Sequence, residues 1–241
     1  MVSILLQPIG DGALKVTFSE AVSPTLNTKI QLFDEKLLKA EIDGVVESVP
    51  TFNAVTIYYE PHLVSYHKLS EKIHDLHREF IEEEYLPLRL IHIPVVYGGK
   101  YGPDLQTVAE HNQLSIDQVI KRHQNGEYLV YMLGFLPGFP YLGGLDKTIA
   151  KPRLEAPRAK TFAGSVGIAH EQTGIYPVDS PGGWNIIGKT PIQLFDFHHE
   201  TSPFLFRAGD RVRFHSVSEG EYERITAQVN AKTYQVNIEK G

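Results

Sequence analysis

A chain of 241 residues with 42% apolar and 22% charged side chains has material for one large core or two modest ones, and its composition is that of a folded globular protein. The formal charge of -6 argues against non-specific nucleic-acid binding, which needs a basic surface, and the absence of cysteine removes disulfides, thiolate catalysis and cysteine-ligated zinc. No window is apolar for long enough to span a membrane, and the apolar run after Met1 is too short for a signal peptide and lacks its basic lead; a cytoplasmic protein without a membrane or nucleic-acid partner is expected.

In chain order, Leu14, Val16 and Phe18 alternate with Lys15 and Thr17 after the turn Gly10-Asp11-Gly12, the pattern of a half-buried strand. Val22, Leu26, Ile30, Phe33 and Leu37 recur at helical spacing. Residues 45–49 and the alternating Val55, Ile57 and Tyr59 flank Pro50-Thr51-Phe52-Asn53 as a hairpin. Leu69, Ile73, Leu76 and Phe80 predict a second amphipathic helix with Glu71, Lys72, Asp75 and Glu79 on its solvent face, and residues 90–96 alternate once more. The order β-α-β-β-α-β is that of a ferredoxin-like split βαβ domain, placed over residues 1–92.

Composition shifts at Tyr97-Gly98-Gly99, and a second domain is placed over residues 93–241. Residues 103–111 and 115–123 predict two short helices, the second opened by the capping box Ser115-x-x-Gln118 and stopped by Gly126. Beyond Tyr128 the chain is rich in Gly and Pro, with strand-like runs at 129–133, 165–169, 192–197 and 212–214. Regular turn signals between short strands predict a closed or nearly closed β-barrel, so the fold class expected is α+β.

Residues 183–190, Gly183-Trp184-Asn185-Ile186-Ile187-Gly188-Lys189-Thr190, satisfy the phosphate-loop pattern G-x-x-x-x-G-K-[ST]. That chemistry needs a strand before the loop and a helix after it, so that successive N–H groups face phosphate. Here a turn, Ser180-Pro181-Gly182, precedes it and an alternating segment follows; a loop between two barrel strands is the better reading, and an ATP site is rejected. His67, His74 and His77 on one helix and the adjacent His198-His199 lack convergent partners, so they read as surface histidines and no metal is expected. Ser165 in Ala163-Gly164-Ser165-Val166-Gly167 is one glycine short of a nucleophile elbow and sits in a strand context.

The densest unusual chemistry is Gly126 to Gly144, where aromatics ride on glycine- and proline-fixed backbone. Beside it come Lys151-Pro152-Arg153 and Pro157-Arg158, and arginine's planar fork suits carboxylate or phosphate recognition. These residues read either as a concave pocket or as a packed aromatic cluster with solvated arginines.

The run Asn125-Gly126-Glu127-Tyr128-Leu129-Val130-Tyr131-Met132-Leu133-Gly134-Phe135-Leu136-Pro137-Gly138-Phe139-Pro140-Tyr141-Leu142-Gly143 resembles the signature of the PxpB/KipI family, also called allophanate hydrolase subunit 1. So do Ala163-Gly164-Ser165-Val166-Gly167-Ile168-Ala169, Gln172-Thr173-Gly174-Ile175-Tyr176-Pro177, Ser180-Pro181-Gly182-Gly183-Trp184, Leu205-Phe206-Arg207-Ala208-Gly209-Asp210 and Pro94-Val95-Val96-Tyr97-Gly98-Gly99. The resemblance implies a cyclophilin-like barrel as the C-terminal domain. It implies a non-autonomous subunit of an ATP-dependent amidohydrolase that opens 5-oxoproline to glutamate with PxpA-type and PxpC-type partners, the ATP being bound mainly by a partner. Two alternatives accompany it: a KipI-type inhibitor of a sporulation histidine kinase, and a carboxyltransferase-like subunit acting on urea or allophanate. No catalytic residue transfers. The expected substrate or partner pocket comprises Tyr131, Phe139, Tyr141, Arg153, Arg158, Ser180 and Trp184.

Overall fold

The computed structural model describes residues 3–78, 88–198 and 203–240, and the chain divides into two compact units, Met1–Pro87 and Leu88–Gly241. Glu79, Phe80 and His199 lie outside the described residues.

In the first unit β1 (Ile4–Ile9), β2 (Ala13–Phe18), α1 (Pro24–Lys39), β3 (Val45–Pro50), β4 (Ala54–Tyr59) and α2 (Tyr66–Arg78) follow one another. The sheet is antiparallel with neighbours β1-β2-β4-β3. That is the ferredoxin-like arrangement with its edge position filled from the N-terminal side by β1; residues 90–96, read from sequence as the closing strand, pair elsewhere. Ser23 caps α1 by accepting the Leu26 N–H at 3.1 Å, Pro24 pre-sets the first turn, and Lys36 and Lys39 meet the negative end of the helix. Leu26, Ile30, Phe33 and Leu37 are buried together with Leu14, Val16, Val55 and Ile57, each such side chain contributing about 1.5–3 kcal/mol over its exposed state. Val22 precedes the helix and is exposed.

The second unit runs β5 (Arg89–Tyr97), α3 (Leu105–His111), α4 (Ile116–Asn125), β6 (Tyr128–Leu133), β7 (Pro140–Gly143), β8 (Arg158–Thr161), β9 (Ser165–Ala169), β10 (Gln172–Ile175), β11 (Ser180–Gly182), β12 (Asn185–Lys189), β13 (Arg211–Ser216), α5 (Glu219–Asn230) and β14 (Ile238–Lys240). Strands neighbour in the order β12-β9-β10-β7-β6-β13-β5, and β12 pairs with β5 to close a seven-stranded cyclophilin-like barrel. β14 adds to the other half of β5, and β8 with β11 makes a separate ribbon. Only β5 with β13 is parallel among these pairs. Ile91, Ile93, Val95, Val130, Leu142, Val166, Ile168, Ile187, Val212 and Phe214 fill the interior. The capping box at α4 is present: Ser115 Oγ accepts from Gln118 N at 3.2 Å, and Gln118 Oε1 accepts from Ser115 N at 2.9 Å.

Residues 185–189, the middle of the phosphate-loop pattern, are β12 itself rather than a loop. Gly188 is required there because a Cβ would stand 2.7 Å from both Val95 Cγ1 and Val96 O, across the seam that closes the barrel. Residues 192–197 form no strand; Phe195 makes one isolated bridge to Phe204. His77, read from sequence as a surface residue, is buried with its ring edge-on to Phe18 at 6.2 Å.

Candidate functional site on the outer wall of the barrel

Alternation along the barrel strands sends Val166, Ile168, Leu142 and Ile187 inward, and Gly167, Ala169, Tyr141 and Ile186 outward. Gly167 and Gly174 pair directly across β9 and β10, and Gly174 also faces Tyr141 on β7. Two glycines side by side leave a bare strip of backbone. The rings of Trp184 and Phe139 occupy it: a Cβ at Gly174 would lie 3.0 Å from Phe139 Cζ and from Trp184 Cζ3, and one at Gly167 3.1 Å from Trp184 Cβ. Phe139 is the hub of the cluster, with edge-on contacts to Tyr141 at 5.1 Å, Tyr176 at 5.2 Å and Trp184 at 5.4 Å.

One cation stands at the rim. The Arg153 guanidinium lies over the Trp184 ring at 5.9 Å, and the side chain is exposed. Its backbone is held on both sides. Asn185 Nδ2 donates to Pro152 O at 2.8 Å, and Leu154 N donates to Gly183 O at 2.7 Å. Burial raises the Tyr141 and Tyr176 hydroxyl pKa values above the ordinary tyrosine value, while the Arg153 charge opposes the rise at both. At Tyr176 a hydrogen bond from the Trp184 backbone opposes it as well. No ion-pair partner for Arg153 occurs among the described residues.

Arg158 is occupied differently. Its guanidinium pairs with Asp104 and donates to Trp184 O at 3.4 Å, while the other Asp104 oxygen accepts the Ile186 N–H at 2.6 Å. Arg158 therefore fixes β12 and the Trp184 backbone, leaving Arg153 as the cation turned to solvent. Tyr131 shares the outer face of the β6–β7 pair with Tyr141, its ring laid against Gly143, with Arg211 the charge that acts on its hydroxyl. Ser180 opens β11 opposite Thr161, and its hydroxyl donates to Pro181 O at 3.2 Å. The structure thus unites Phe139, Tyr141, Trp184 and Arg153, puts Arg158 behind them and Tyr131 beside them, and sets Ser180 on the ribbon.

Sequence reasoning missed Tyr176, Asp104, Asn185 and the glycine pair. The repeated outward glycine in Ser165-Val166-Gly167 and Gln172-Thr173-Gly174 was the signal for the pair; nothing local marks Asp104, whose partners are 54 and 82 residues away.

A closed aromatic cluster with one fixed, solvent-facing arginine suits a small flat anion lying against the Tyr141 edge. It does not suit a nucleoside triphosphate at residues 183–190: β12 spends its backbone on the barrel ladder, and Lys189 Nζ lies over the Phe162 ring at 5.6 Å. Among the described residues no group of three or more His, Cys, Asp or Glu side chains converges as a metal site, and no helix is long and apolar enough to cross a membrane.

These features define a two-unit α+β protein with a cyclophilin-like barrel and an aromatic-arginine cluster on its outer wall. Residues 4–206 match the family described as carboxyltransferase domain, subdomain C and D, and the chain belongs to that family. The 5-oxoprolinase B subunit of Bacillus subtilis (strain 168) is 41% identical over 235 residues, covering 93% of this chain and 98% of that protein. The protein of the same name from Escherichia coli O157:H7 is 41% identical over 215 residues, 88% of this chain and 95% of its own. A urea carboxylase from Kluyveromyces lactis shares the fold, with a TM-score of 0.82 at 19% identity over 99% of this chain and 24% of that one.

Proposed function

We propose that the chain is the B-type subunit of an ATP-dependent 5-oxoprolinase, which converts 5-oxo-L-proline to L-glutamate with ATP going to ADP and phosphate. The reading is carried by the 41% identity to a 5-oxoprolinase B subunit that is matched over 98% of its length. Its partners are PxpA-type and PxpC-type subunits, and the nucleotide belongs to one of them, since the residues of this chain that match a phosphate loop do not fit it.

The share of this chain is recognition. Arg153 offers two parallel N–H groups to the substrate carboxylate, and the Tyr141 edge flanks the lactam ring. Opening an unstrained amide also needs an activated carbonyl and donors for the oxyanion. The sequence offers neither a nucleophile–base pair nor a metal cluster for those steps, so the complete site is composite. The test is co-purification with both partner types, followed by glutamate release from 5-oxoproline and ATP. The lone chain at high concentration is expected to release none, and the reconstituted mixture to turn over. Full turnover by the lone chain, with contaminating partners excluded by mass spectrometry, would overturn the composite site.

A further inference from the structure

Behind the glycine strip, on the interior side of the same wall, lies a polar chain that the aromatic site does not itself use. His123, in the last turn of α4, has no exposed surface, and its ring stacks on Phe214 at 4.5 Å. Both ring nitrogens are engaged. Thr173 Oγ1 gives its proton to Gly167 O at 2.9 Å, so it accepts from His123 Nε2 at 3.0 Å, and His123 Nδ1 then accepts from the Tyr97 hydroxyl at 2.8 Å. The partners fix one neutral tautomer and one direction, running from Tyr97 through His123 and Thr173 to the Gly167 carbonyl. The end of that run is one of the two glycines against which Trp184 packs.

We propose that His123 is a positioning residue for the outer site, acting through Thr173 on the Gly167 carbonyl and so on the strip of backbone that seats Trp184 and Phe139. A buried polar chain with every member satisfied holds one geometry, whereas a cut chain leaves a donor or acceptor stranded and the strand free to shift toward another partner. Gly167 and Gly174 carry no side chain of their own, so the Thr173 hydroxyl on the inner face adds a side-chain restraint to the backbone ladder at this strip. The value of this seat for ligand recognition rests on the carboxylate-binding role proposed above; the mechanical coupling does not.

Trp184 is the single tryptophan of the chain, so its emission reports on the seat alone. In the full chain, Thr173→Val and His123→Gln are compared with wild type and with Ile91→Ala, a barrel-interior change at the opposite end of β5 from Tyr97. Under conditions where every protein is folded, Thr173→Val and His123→Gln are expected to shift Trp184 emission to the red and to increase its quenching by acrylamide. Ile91→Ala and Thr173→Ser, which keeps the hydroxyl, are expected to match wild type. Wild-type emission and quenching in folded Thr173→Val would overturn the inference. So would a Thr173→Ser protein as perturbed as Thr173→Val. Because the readout needs no ligand, its failure is distinct from a failure of carboxylate binding.

Discussion

Burial lowers the pKa of His123 from 6.5 to about 3, so the native protein keeps this ring neutral where an unfolded chain protonates it. A group with a depressed native pKa of this kind makes stability rise with pH: the contribution is intact above the unfolded value and is lost as pH falls toward the native one. From about pH 8 to about pH 5 the unfolded state takes up a proton across roughly 1.5 units of that gap, which at 1.36 kcal/mol per unit costs the native state about 2 kcal/mol. His123→Gln cannot titrate, and whatever its altered side chain costs the polar chain is the same at both pH values and cancels in the comparison. Urea unfolding followed by Trp184 emission, at both pH values and for both proteins, isolates the effect as a double difference. The subtraction matters because His215 is also depressed, by burial and by the neighbouring His92, and acts with the same sign. The wild type should lose about 2 kcal/mol more than the variant over this range. Equal losses would refute the assignment of a neutral, proton-excluding His123.

Gly174→Ala places a methyl group 3.0 Å from Phe139, Pro140 O and Trp184 at once and should cost about 1–3 kcal/mol by overpacking, read as a lower urea midpoint with altered Trp184 emission. Arg153→Ala should leave that midpoint unchanged and weaken 5-oxoproline binding or complex activity by about 1.5–3 kcal/mol, the worth of a charge-assisted hydrogen bond, measured by titration. Asp104→Ala strands the Arg158 guanidinium and the buried Ile186 N–H together, and a loss on the order of 3 kcal/mol in denaturant unfolding is expected. Lys189→Ala should leave the ATP affinity of the isolated chain at its wild-type level by calorimetry, and a micromolar, magnesium-dependent affinity that vanishes in the variant would restore the phosphate loop.

Where local chemistry decided the outcome, the sequence was readable. Ser115 and Gln118 mark the start of α4 because both halves of the capping box are made within four residues, and β9 appears where the alternation of residues 165–169 puts it. Leu26, Ile30, Phe33 and Leu37 reveal α1 because one stripe is buried. β1 was not visible. It carries Leu5 and Ile9 exposed as well as Ile4 and Leu6 packed on the core, so its apolar residues follow no period of two, and Pro8 counts against a strand. α5 buries only Ile225 and so shows no helical stripe. β12 was hidden by the match to another motif, whose glycine answers to barrel closure rather than to phosphate. At the candidate site, Arg153 and Arg158 stand out beside prolines and Trp184 comes with the motif of residues 180–184, but the different partners of the two arginines depend on Asp104, which arrives from another part of the chain.

The seam of the barrel also sets an order of events during synthesis. The first unit's strands all find their partners between Ile4 and Tyr59, so that sheet can assemble early on the ribosome. β5 emerges next, yet its neighbours are β12, β13 and β14, the first of which ends at Lys189 and the last at Lys240. Through the middle of translation β5 therefore presents unpaired edges on an apolar strand, the kind of surface that recruits other nascent chains or a chaperone. Parallel pairing of β5 with β13 is a long-range contact that no hairpin can nucleate, which makes closure slow as well as late. A nascent chain that has not yet reached Arg211 has a gap where β13 belongs, between β5 and β6, and the interior that holds His123 stays open to water until that strand arrives.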